Sequence, residues 1–260
     1  MKISLIGSGN VATHLACALY DLKYYILQVY SPNLQHAQQL AQRVQAQAVC
    51  QWQALQPADL YLIAVKDSAI EEVAAQLARL DVQGTVAHTS GSTALEVIKD
   101  SSKKFGVFYP LQTFSKAKSM DFAQVPLLLE ANSTEVLQQL DHLARQLSNQ
   151  VYHYSTIQRR SLHLAAVIAC NFSNYLYSVA DGYLTGQGVD FNLLKPLILE
   201  TAEKIQQHAP MAMQTGPAVR HDLAILAMHQ NLLAQQPQSE QIQQLYALLS
   251  QGIMQLHNKT

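Results

Sequence analysis

Ile3-Ser-Leu-Ile-Gly-Ser-Gly-Asn-Val-Ala12 is the stretch that decides the fold of this chain. The apolar run that begins at residue 3 is typical of a buried strand, and the apolar spacing from Val11 onward is typical of a helix. Between them, Gly7 permits a tight turn, and Gly9 has no Cβ to keep a pyrophosphate away from the backbone. The helix N-terminus adds free N–H groups and a positive dipole end. The sequence therefore predicts a dinucleotide-binding loop made of Gly7, Ser8, Gly9, Asn10 and Val11, with an ordinary strand–turn–helix connection as the alternative.

The composition is that of a globular protein with a sizeable core. Of 260 residues, 49% are hydrophobic and 13% are charged, and a net charge of −1 excludes a general basic field for nucleic acid or anionic lipid. Three cysteines without a C-x-x-C pair favour reduced thiols in a reducing compartment. No apolar segment reaches membrane-spanning length, and Gly7 interrupts the first apolar run too early for a signal peptide. We expect a cytoplasmic protein with no metal site and no nucleic-acid or membrane partner.

Strands and helices alternate over residues 1–154. After the first strand, the pattern predicts strands at residues 25–30, 59–65, 85–88, 105–109, 125–130 and 151–154. Helices are predicted at residues 34–44, 68–80 and 134–147, and a further one after Thr93. Ser68 with Glu71, and Thr93 with Glu96, form capping-box patterns at two helix starts. This alternation predicts an α/β domain over residues 1–154, with a doubly wound, Rossmann-type parallel sheet covered on both faces.

Residues 155–260 have the pattern of an all-helical second domain. One long helix is predicted at residues 156–185, and three more at residues 192–208, 217–234 and 239–257. A helix of about 30 residues in a small domain is usually buried by something larger than that domain, often a second subunit. We therefore expect a homodimer formed through the long helix.

The end of the second predicted strand bears on the choice of cofactor. In the NAD form of the fingerprint, an Asp or Glu at this place accepts hydrogen bonds from the ribose hydroxyls. Here the strand ends Val-Tyr-Ser31-Pro-Asn, without a carboxylate, and Ser31 can donate to a phosphate. This favours NADP over NAD, although the nearest arginine is Arg43 on the next helix. We assign Ser31, Val65 and His88, each near the carboxyl end of a predicted strand, to the cofactor cleft.

Two further strand ends carry candidate site residues. His88-Thr-Ser90-Gly-Ser92 follows one strand, and its small residues let the backbone approach a ring or an anion; the alternative is that Ser92 and Thr93 only cap a helix. Tyr109 and Gln112 follow the next strand and are placed to line the same cleft. Because ligands bind outside the carboxyl ends of strands in open α/β sheets, we expect these side chains to meet a substrate.

The helical part contributes three polar candidates. His163 and Asn171 are eight residues apart on the long helix, which corresponds to about 12 Å of axial rise and roughly 80° of rotation, so they flank one face. Hydrogen-bonded core or interface residues are the alternative interpretation of both. Arg220 lies in a loop that leads into a helix and could clamp a substrate carboxylate, or could simply be exposed beside Asp222.

Several motifs occur together in one order along the chain. They are Gly7-Ser-Gly-Asn-Val-Ala, His88-Thr-Ser-Gly-Ser, Tyr109-Pro-Leu-Gln-Thr-Phe, His163-Leu-Ala-Ala to Asn171-Phe, and Thr215-Gly-Pro-Ala-Val-Arg-His-Asp. This set resembles the DUF2520 proteins, which have a Rossmann-like first domain and are described as NADP-dependent oxidoreductases. That family is similar to the 6-phosphogluconate dehydrogenase-like group, including pyrroline-5-carboxylate reductase and F420-dependent NADP reductase. The resemblance implies a helical domain that dimerises and closes the active-site cleft.

The resemblance also bears on catalysis. The β-hydroxyacid dehydrogenases of this group use a Lys four residues before an Asn on the long helix, whereas Val167 stands four residues before Asn171 here. In relatives, His is more usual at the position of Tyr109, and Arg is more usual at the position of Pro32.

We predict an oxidoreductase that transfers hydride between NADP(H) and a small carbonyl or imine substrate. His163 is the predicted proton donor, Asn171 and Ser90 hold the polar atom of the substrate, and Arg220 holds an anionic tail. The alternative is a catalytically degenerate NADP-binding dimer with a regulatory or structural role.

Overall fold

The computed structural model describes residues 1–115, 118, 120–237 and 239–258. The chain divides into two compact units, residues 1–168 and 169–260. The domain boundary predicted between residues 154 and 155 follows the change in sequence pattern and stays a prediction. Each unit is described by itself below.

The first unit contains an eight-stranded sheet. Its strands are β1 (Lys2–Ile6), β2 (Tyr25–Tyr30), β3 (Gln47–Val49), β4 (Leu60–Ile63), β5 (Thr85–His88), β6 (Phe105–Pro110), β7 (Leu127–Ala131) and β8 (Val151–His153). Their order is β3-β2-β1-β4-β5-β6-β7-β8. Neighbouring strands are parallel except β6 and β7. The predicted α/β class and Rossmann-type sheet are confirmed, but a purely parallel sheet is wrong at this one pair.

Five helices belong to this unit: α1 (Asn10–Asp21), α2 (Leu34–Arg43), α3 (Ile70–Arg79), α4 (Thr134–Leu147) and α5 (Thr156–Ala166). Successive residues of a strand point to opposite faces, so the sheet builds two apolar layers. Leu5 and Leu62 pack with α1 and α4 residues such as Leu15 and Leu140 on one face. On the other face, Ile6, Ile63 and Val86 pack with residues of α3 such as Leu77. Both faces of the sheet are therefore covered, as the sequence predicts.

Two predicted helix starts are wrong. The helix predicted from Ser68 begins at Ile70, after a short 3-10 turn, and no side chain caps it. After Thr93 the chain forms only a 3-10 turn, Leu95–Ile98, again without a side-chain cap. The Thr93 N–H instead donates to Ser90 Oγ, and the Thr93 carbonyl accepts from Arg159, so other hydrogen bonds of this loop take the place of the cap. The short edge strand β3 was not predicted, because three residues carry too little pattern.

The second unit is helical. The helix that starts at Thr156 runs through a π-helical segment, Val167–Phe172, into α6 (Ser173–Gly186), and is followed by α7 (Lys195–Gln207), α8 (Leu223–Ala234) and α9 (Glu240–His257). The predicted start of α8 at residue 217 is wrong: Asp222 caps it by accepting a hydrogen bond from the Ile225 N–H, 3.2 Å away. Among its described residues, only Ala218 and Leu226 are buried hydrophobic side chains. No helix of the described ranges is long and apolar enough to cross a membrane.

Candidate functional site

The glycine loop after β1 depends on Gly7 for two reasons. Its φ of +126° lies in a region that L side chains rarely adopt. A Cβ on Gly7 would also lie only 2.2 Å from the carbonyl oxygen of Ala64, at the end of β4. The Gly7 N–H donates to the Tyr30 carbonyl across 2.8 Å, which ties the loop to the end of β2. The loop is therefore fitted between two strand ends.

Gly9 occupies the N-cap position of α1, where no side chain caps the helix. The first intrahelical bond runs from the Thr13 N–H to the Gly9 carbonyl, so the earlier N–H groups have no acceptor within the helix. A Cβ on Gly9 would meet nothing within 4 Å, so the space in front of these groups is open. Open space, free N–H groups and the positive end of a helix dipole together suit a phosphate group.

A cavity of about 580 Å³ adjoins this loop. Seven of the predicted cofactor residues line it: Gly7, Ser8, Gly9, Asn10, Val11, Ser31 and Val65. The Asn10 amide also donates to the Phe114 carbonyl, 2.9 Å away. The lining also includes Trp52, whose ring stacks on Tyr30 with centroids 3.9 Å apart, and the charged Lys66 and Glu72. The glycine floor and the aromatic wall fit the pyrophosphate and adenosine of a dinucleotide.

Sequence reasoning missed Trp52, Lys66 and Glu72. Trp52 is the single tryptophan of the chain and follows a strand too short to recognise, so its only signal was its rarity. Arg43 does not line this cavity; it lines a separate one with Cys17 and Asp21. Lys66, unlike Arg43, lines the cavity that contains Ser31.

The loop after β5 is shaped by its own polar groups. Ser90 Oγ accepts from the N–H groups of Ser92 and Thr93, at 3.1 and 2.9 Å, and the Ser90 N–H donates to His88 Nδ1 at 3.2 Å. The Ser92 hydroxyl donates to Asp67, which follows β4. His88 itself is fully buried and does not line the cavity at the glycine loop. The loop is thereby held in one shape at the carboxyl end of β5.

Arg159 of α5 holds this loop through hydrogen bonds to its carbonyl oxygens. Its guanidinium is fully buried, and Nη1 donates to the carbonyl oxygens of Ser90, Gly91 and Thr93 at 2.9, 3.1 and 2.7 Å. Nη2 donates to Glu130 Oε2 on β7 at 3.1 Å. No sequence pattern distinguishes Arg159 from its neighbour Arg160, which is exposed and donates from Nε to the Ser92 carbonyl.

Tyr109 and His163 form a hydrogen-bonded pair beside the same loop. The Tyr109 hydroxyl lies 3.0 Å from His163 Nδ1, and the two rings meet edge to face. Burial raises the pKa of Tyr109 to about 12, although the nearby Arg159 opposes this shift. The structure thus brings together His163, Tyr109 and the Ser90 loop, which the sequence proposed separately.

The other predicted site residues lie elsewhere. Gln112 is exposed, and its side-chain oxygen accepts from the N–H of the adjacent Thr113. Asn171 lies in the π-helical segment and Arg220 in a loop of the second unit, and both are exposed. Arg220 forms no ion pair with any described residue. Across the described ranges, no three metal-ligating side chains cluster. The roles assigned to Asn171 and Arg220 stay predictions.

The buried His88 makes a testable contribution to stability. Burial, and then the charge of Arg159, lower its pKa from 6.5 to about 3. Between these values the unfolded chain binds a proton that the folded chain does not, so stability falls as the pH falls below 6.5. At pH 5 the loss in the free energy of unfolding that His88 causes is about 2 kcal/mol. We measure the free energy of unfolding by urea denaturation at pH 7.5 and at pH 5. Between these values it should fall by about 2 kcal/mol less in His88→Asn than in wild type. The exposed His36→Asn should keep the wild-type slope; parallel curves for all three proteins would contradict the prediction.

The fold and the glycine loop define the class: this is a protein with the NADP-binding fold of oxidoreductases. The sequence model of NADP oxidoreductase, coenzyme F420-dependent, matches residues 2–87, and that of the domain of unknown function DUF2520 matches residues 125–253. A candidate NADP oxidoreductase from Bacteroides fragilis is 41% identical, with 98% of each chain covered and a TM-score of 0.91. The chain belongs to this DUF2520 family of oxidoreductase-like proteins. The family resemblance and the prediction of an NADP or NAD cofactor are confirmed at the level of the family.

More distant structures share the fold. A protein from Thermotoga maritima is 22% identical, with 99% of this chain and 98% of that chain covered and a TM-score of 0.72. An imine reductase from Myxococcus stipitatus, solved in complex with NADP+, is 13% identical, with 100% and 93% covered and a TM-score of 0.60. A comparison with the curated proteins found no match.

Proposed function

We propose that this protein is an NADP(H)-dependent oxidoreductase that transfers hydride between the cofactor and a small carbonyl or imine substrate. One observation carries the proposal: the strand order β1-β4-β5-β6 lines up the glycine loop, Val65, the Ser90 loop and Tyr109 along one edge of the sheet. Ligands bind at this edge in open α/β sheets. The imine reductase among the structural neighbours supports an imine as one substrate class.

The residues of this chain would divide the work as follows. The free N–H groups at the start of α1 bind the pyrophosphate, and Trp52 with Tyr30 supplies an aromatic wall for the adenosine. Bound NADPH supplies the hydride. His163 donates the proton that the reduced oxygen or nitrogen needs, and the Ser90 hydroxyl orients that atom. We assign Asn171 the same polar atom and Arg220 an anionic tail of the substrate.

The preference for NADP over NAD has two supports. No carboxylate follows β2 to repel a 2′-phosphate, since the chain continues Ser31-Pro-Asn. Lys66 adds a cation to the cavity wall that contains Ser31. Glu72 is a carboxylate in the same cavity, but it lies on α3 and not at the end of β2, where the NAD form of the fingerprint has its acidic residue.

Trp52 provides a direct test of cofactor binding because it is the single tryptophan and lines the cavity. We expect NADPH to quench its fluorescence in a saturable way, and NADH to bind at least about tenfold more weakly, a difference of about 1.4 kcal/mol. Thermal unfolding of the Trp52→Phe variant with each nucleotide provides a readout that does not depend on the fluorophore. Absence of binding by either nucleotide would contradict the proposal.

Turnover is then tested by consumption of NADPH with cyclic imines and with 2-keto acids. Oxidation of NADPH by one class, lost in His163→Ala, supports the reaction and the role of His163. Binding without turnover of any carbonyl or imine would favour the alternative, a regulatory NADP-binding dimer.

We also propose a cytoplasmic homodimer formed through the long helix. Leu164, Ile168, Phe172 and Tyr175 along this helix are each about half exposed, as are many apolar residues of the second unit. Exposed apolar surface on this scale favours burial against a partner. Sedimentation should give twice the chain mass of 28.8 kDa, and the mass of one chain would contradict the dimer. Three cysteines that form no disulfide agree with a reducing compartment.

A further inference from the structure

We propose that Tyr109 is a positioning residue that holds the ring of His163 in the orientation from which its Nε2 donates a proton to the substrate. This inference rests on the proposed function and names a residue on which its proton donor depends. The evidence for it is the geometry of three neighbouring parts of the first unit: the end of β6, the helix α5 and the loop at Gly91.

Tyr109 is a rigid support. Its ring packs with Leu95, Val107 and Leu128 in a small buried cluster, and only 9% of the residue is exposed. From this position its hydroxyl reaches His163 Nδ1 at 3.0 Å, 54 residues away in sequence. Because this nitrogen is engaged, Nε2 is the ring atom that remains; it has no hydrogen-bond partner among the described residues.

A neutral hydroxyl suits this task. It accepts from the Nδ1 N–H of the imidazolium, and equally from the Nδ1 N–H of the neutral ring that remains when Nε2 gives up its proton. Burial keeps the Tyr109 proton in place, since the pKa is raised to about 12. The hydrogen bond therefore persists before and after proton transfer, and the ring keeps its orientation throughout the cycle.

Gly91 allows the loop to cover this hydrogen bond. A Cβ at this position would lie 2.6 Å from His163 Nδ1 and 2.7 Å from Tyr109 Cζ. The Gly91 carbonyl is in turn held by Arg159 at 3.1 Å. The loop, the buried guanidinium and the Tyr109–His163 pair thus form one packed assembly, in which a methyl group on the loop would separate the pair.

The charged and titratable groups around the pair come from four parts of the first unit. Arg159 lies on α5, Asp67 follows β4, and both act on Tyr109 electrostatically, in opposite directions. His88 at the end of β5 is uncharged near neutral pH, because burial lowers its pKa to about 3. Arg159 is neutralised in part by Glu130 of β7.

In the reducing direction the step balances as follows. The substrate carbon gains a C–H bond with the hydride, the π pair of its C=N or C=O bond becomes a lone pair on nitrogen or oxygen, and that atom takes the Nε2 proton of the His163 imidazolium. The substrate is reduced and NADPH is oxidised to NADP+. His163 ends neutral with its remaining proton on Nδ1, which is still donated to the Tyr109 hydroxyl, and uptake of a solvent proton at Nε2 restores the imidazolium.

The kinetic test compares Tyr109→Phe and Gly91→Ala with Tyr25→Phe, which removes the hydroxyl of an exposed tyrosine. We expect both site variants to lower kcat for reduction by about 10- to 100-fold, part of the effect of a full general acid. The pH at which the rate falls on the alkaline side should move lower, because the imidazolium loses its acceptor. The Kd for NADPH, measured by quenching of Trp52 fluorescence, should stay within about twofold of the wild-type value. Wild-type kinetics in Tyr109→Phe would overturn the inference.

A second measurement needs no turnover. In wild-type protein labelled with ¹⁵N-histidine, the neutral His163 ring should show a single tautomer, with the proton on the Nδ1 that faces Tyr109, and His163→Gln identifies its signals. Tyr109→Phe should give a mixture of tautomers. A mixture already in the wild type would overturn the inference, whereas a fixed tautomer in a protein without turnover would leave the positioning intact and count against the proposed reaction.

Discussion

Arg159→Met is expected to lower the free energy of unfolding by about 3–5 kcal/mol, the usual cost of removing one partner from a buried ion pair. The methionine fills a similar volume but donates no hydrogen bond. It leaves the Glu130 carboxylate, whose side chain is only 17% exposed, without its cation. It also leaves the carbonyl groups of Ser90, Gly91 and Thr93 without their shared donor. Urea denaturation at fixed protein concentration, followed by circular dichroism, measures the loss.

Two further variants isolate the cause. In Arg159→Met/Glu130→Gln the stranded charge is gone, so we expect the double variant to recover part of the loss seen in Arg159→Met. Arg145 also pairs with an acid, Asp141 at 2.6 Å, but its side chain is 60% exposed. Arg145→Met should therefore cost far less stability than Arg159→Met. If Arg159→Met and Arg145→Met lost equal stability, burial of the Arg159 network would add nothing to its contribution, and the prediction would be wrong.

Gly7→Ala is expected to destabilise the protein by about 3 kcal/mol and to abolish NADPH binding. An alanine must adopt a φ of +126°, which costs on the order of 1–3 kcal/mol. Its Cβ would meet the Ala64 carbonyl at 2.2 Å, a backbone atom that moves only if the end of β4 shifts. Relief of this overlap costs on the order of 1–3 kcal/mol more. Denaturation and Trp52 quenching measure the two effects separately.

Gly9→Ala is the matched variant. Its φ of −75° is ordinary, and the new Cβ would meet no protein atom within 4 Å. We expect stability within about 0.5 kcal/mol of wild type, as for a substitution away from any strained feature. The Cβ would instead occupy the space that the pyrophosphate needs, so the Kd for NADPH should rise at least about tenfold. If Gly9→Ala bound NADPH normally, the assignment of this loop to the pyrophosphate would be wrong.

The local parts of the structure could be predicted from the sequence. The glycine loop, the strands at residues 25–30 and 85–88 and the helix at residues 134–147 follow from apolar period and glycine placement within short windows. Seven of the predicted cofactor residues also line one cavity, since they lie at the ends of strands whose order is set by the fold. The strand β7 was predicted, but its antiparallel direction was not, because period alone carries no information on strand direction.

The fold class, the position of the glycine loop and the candidates His163 and Tyr109 could therefore be predicted from local patterns. The pairing of these two residues, and the hydrogen bonds by which Arg159 holds the loop beside them, became apparent in the folded chain. The hydrogen bonds concerned join residues 54 and 69 positions apart. Such contacts depend on how whole elements pack, and no local pattern marks which of two adjacent arginines will be buried. The capping pattern at Thr93 failed where such a contact reaches the loop: the Thr93 carbonyl accepts from the buried Arg159 guanidinium, and the Thr93 N–H donates to the Ser90 hydroxyl.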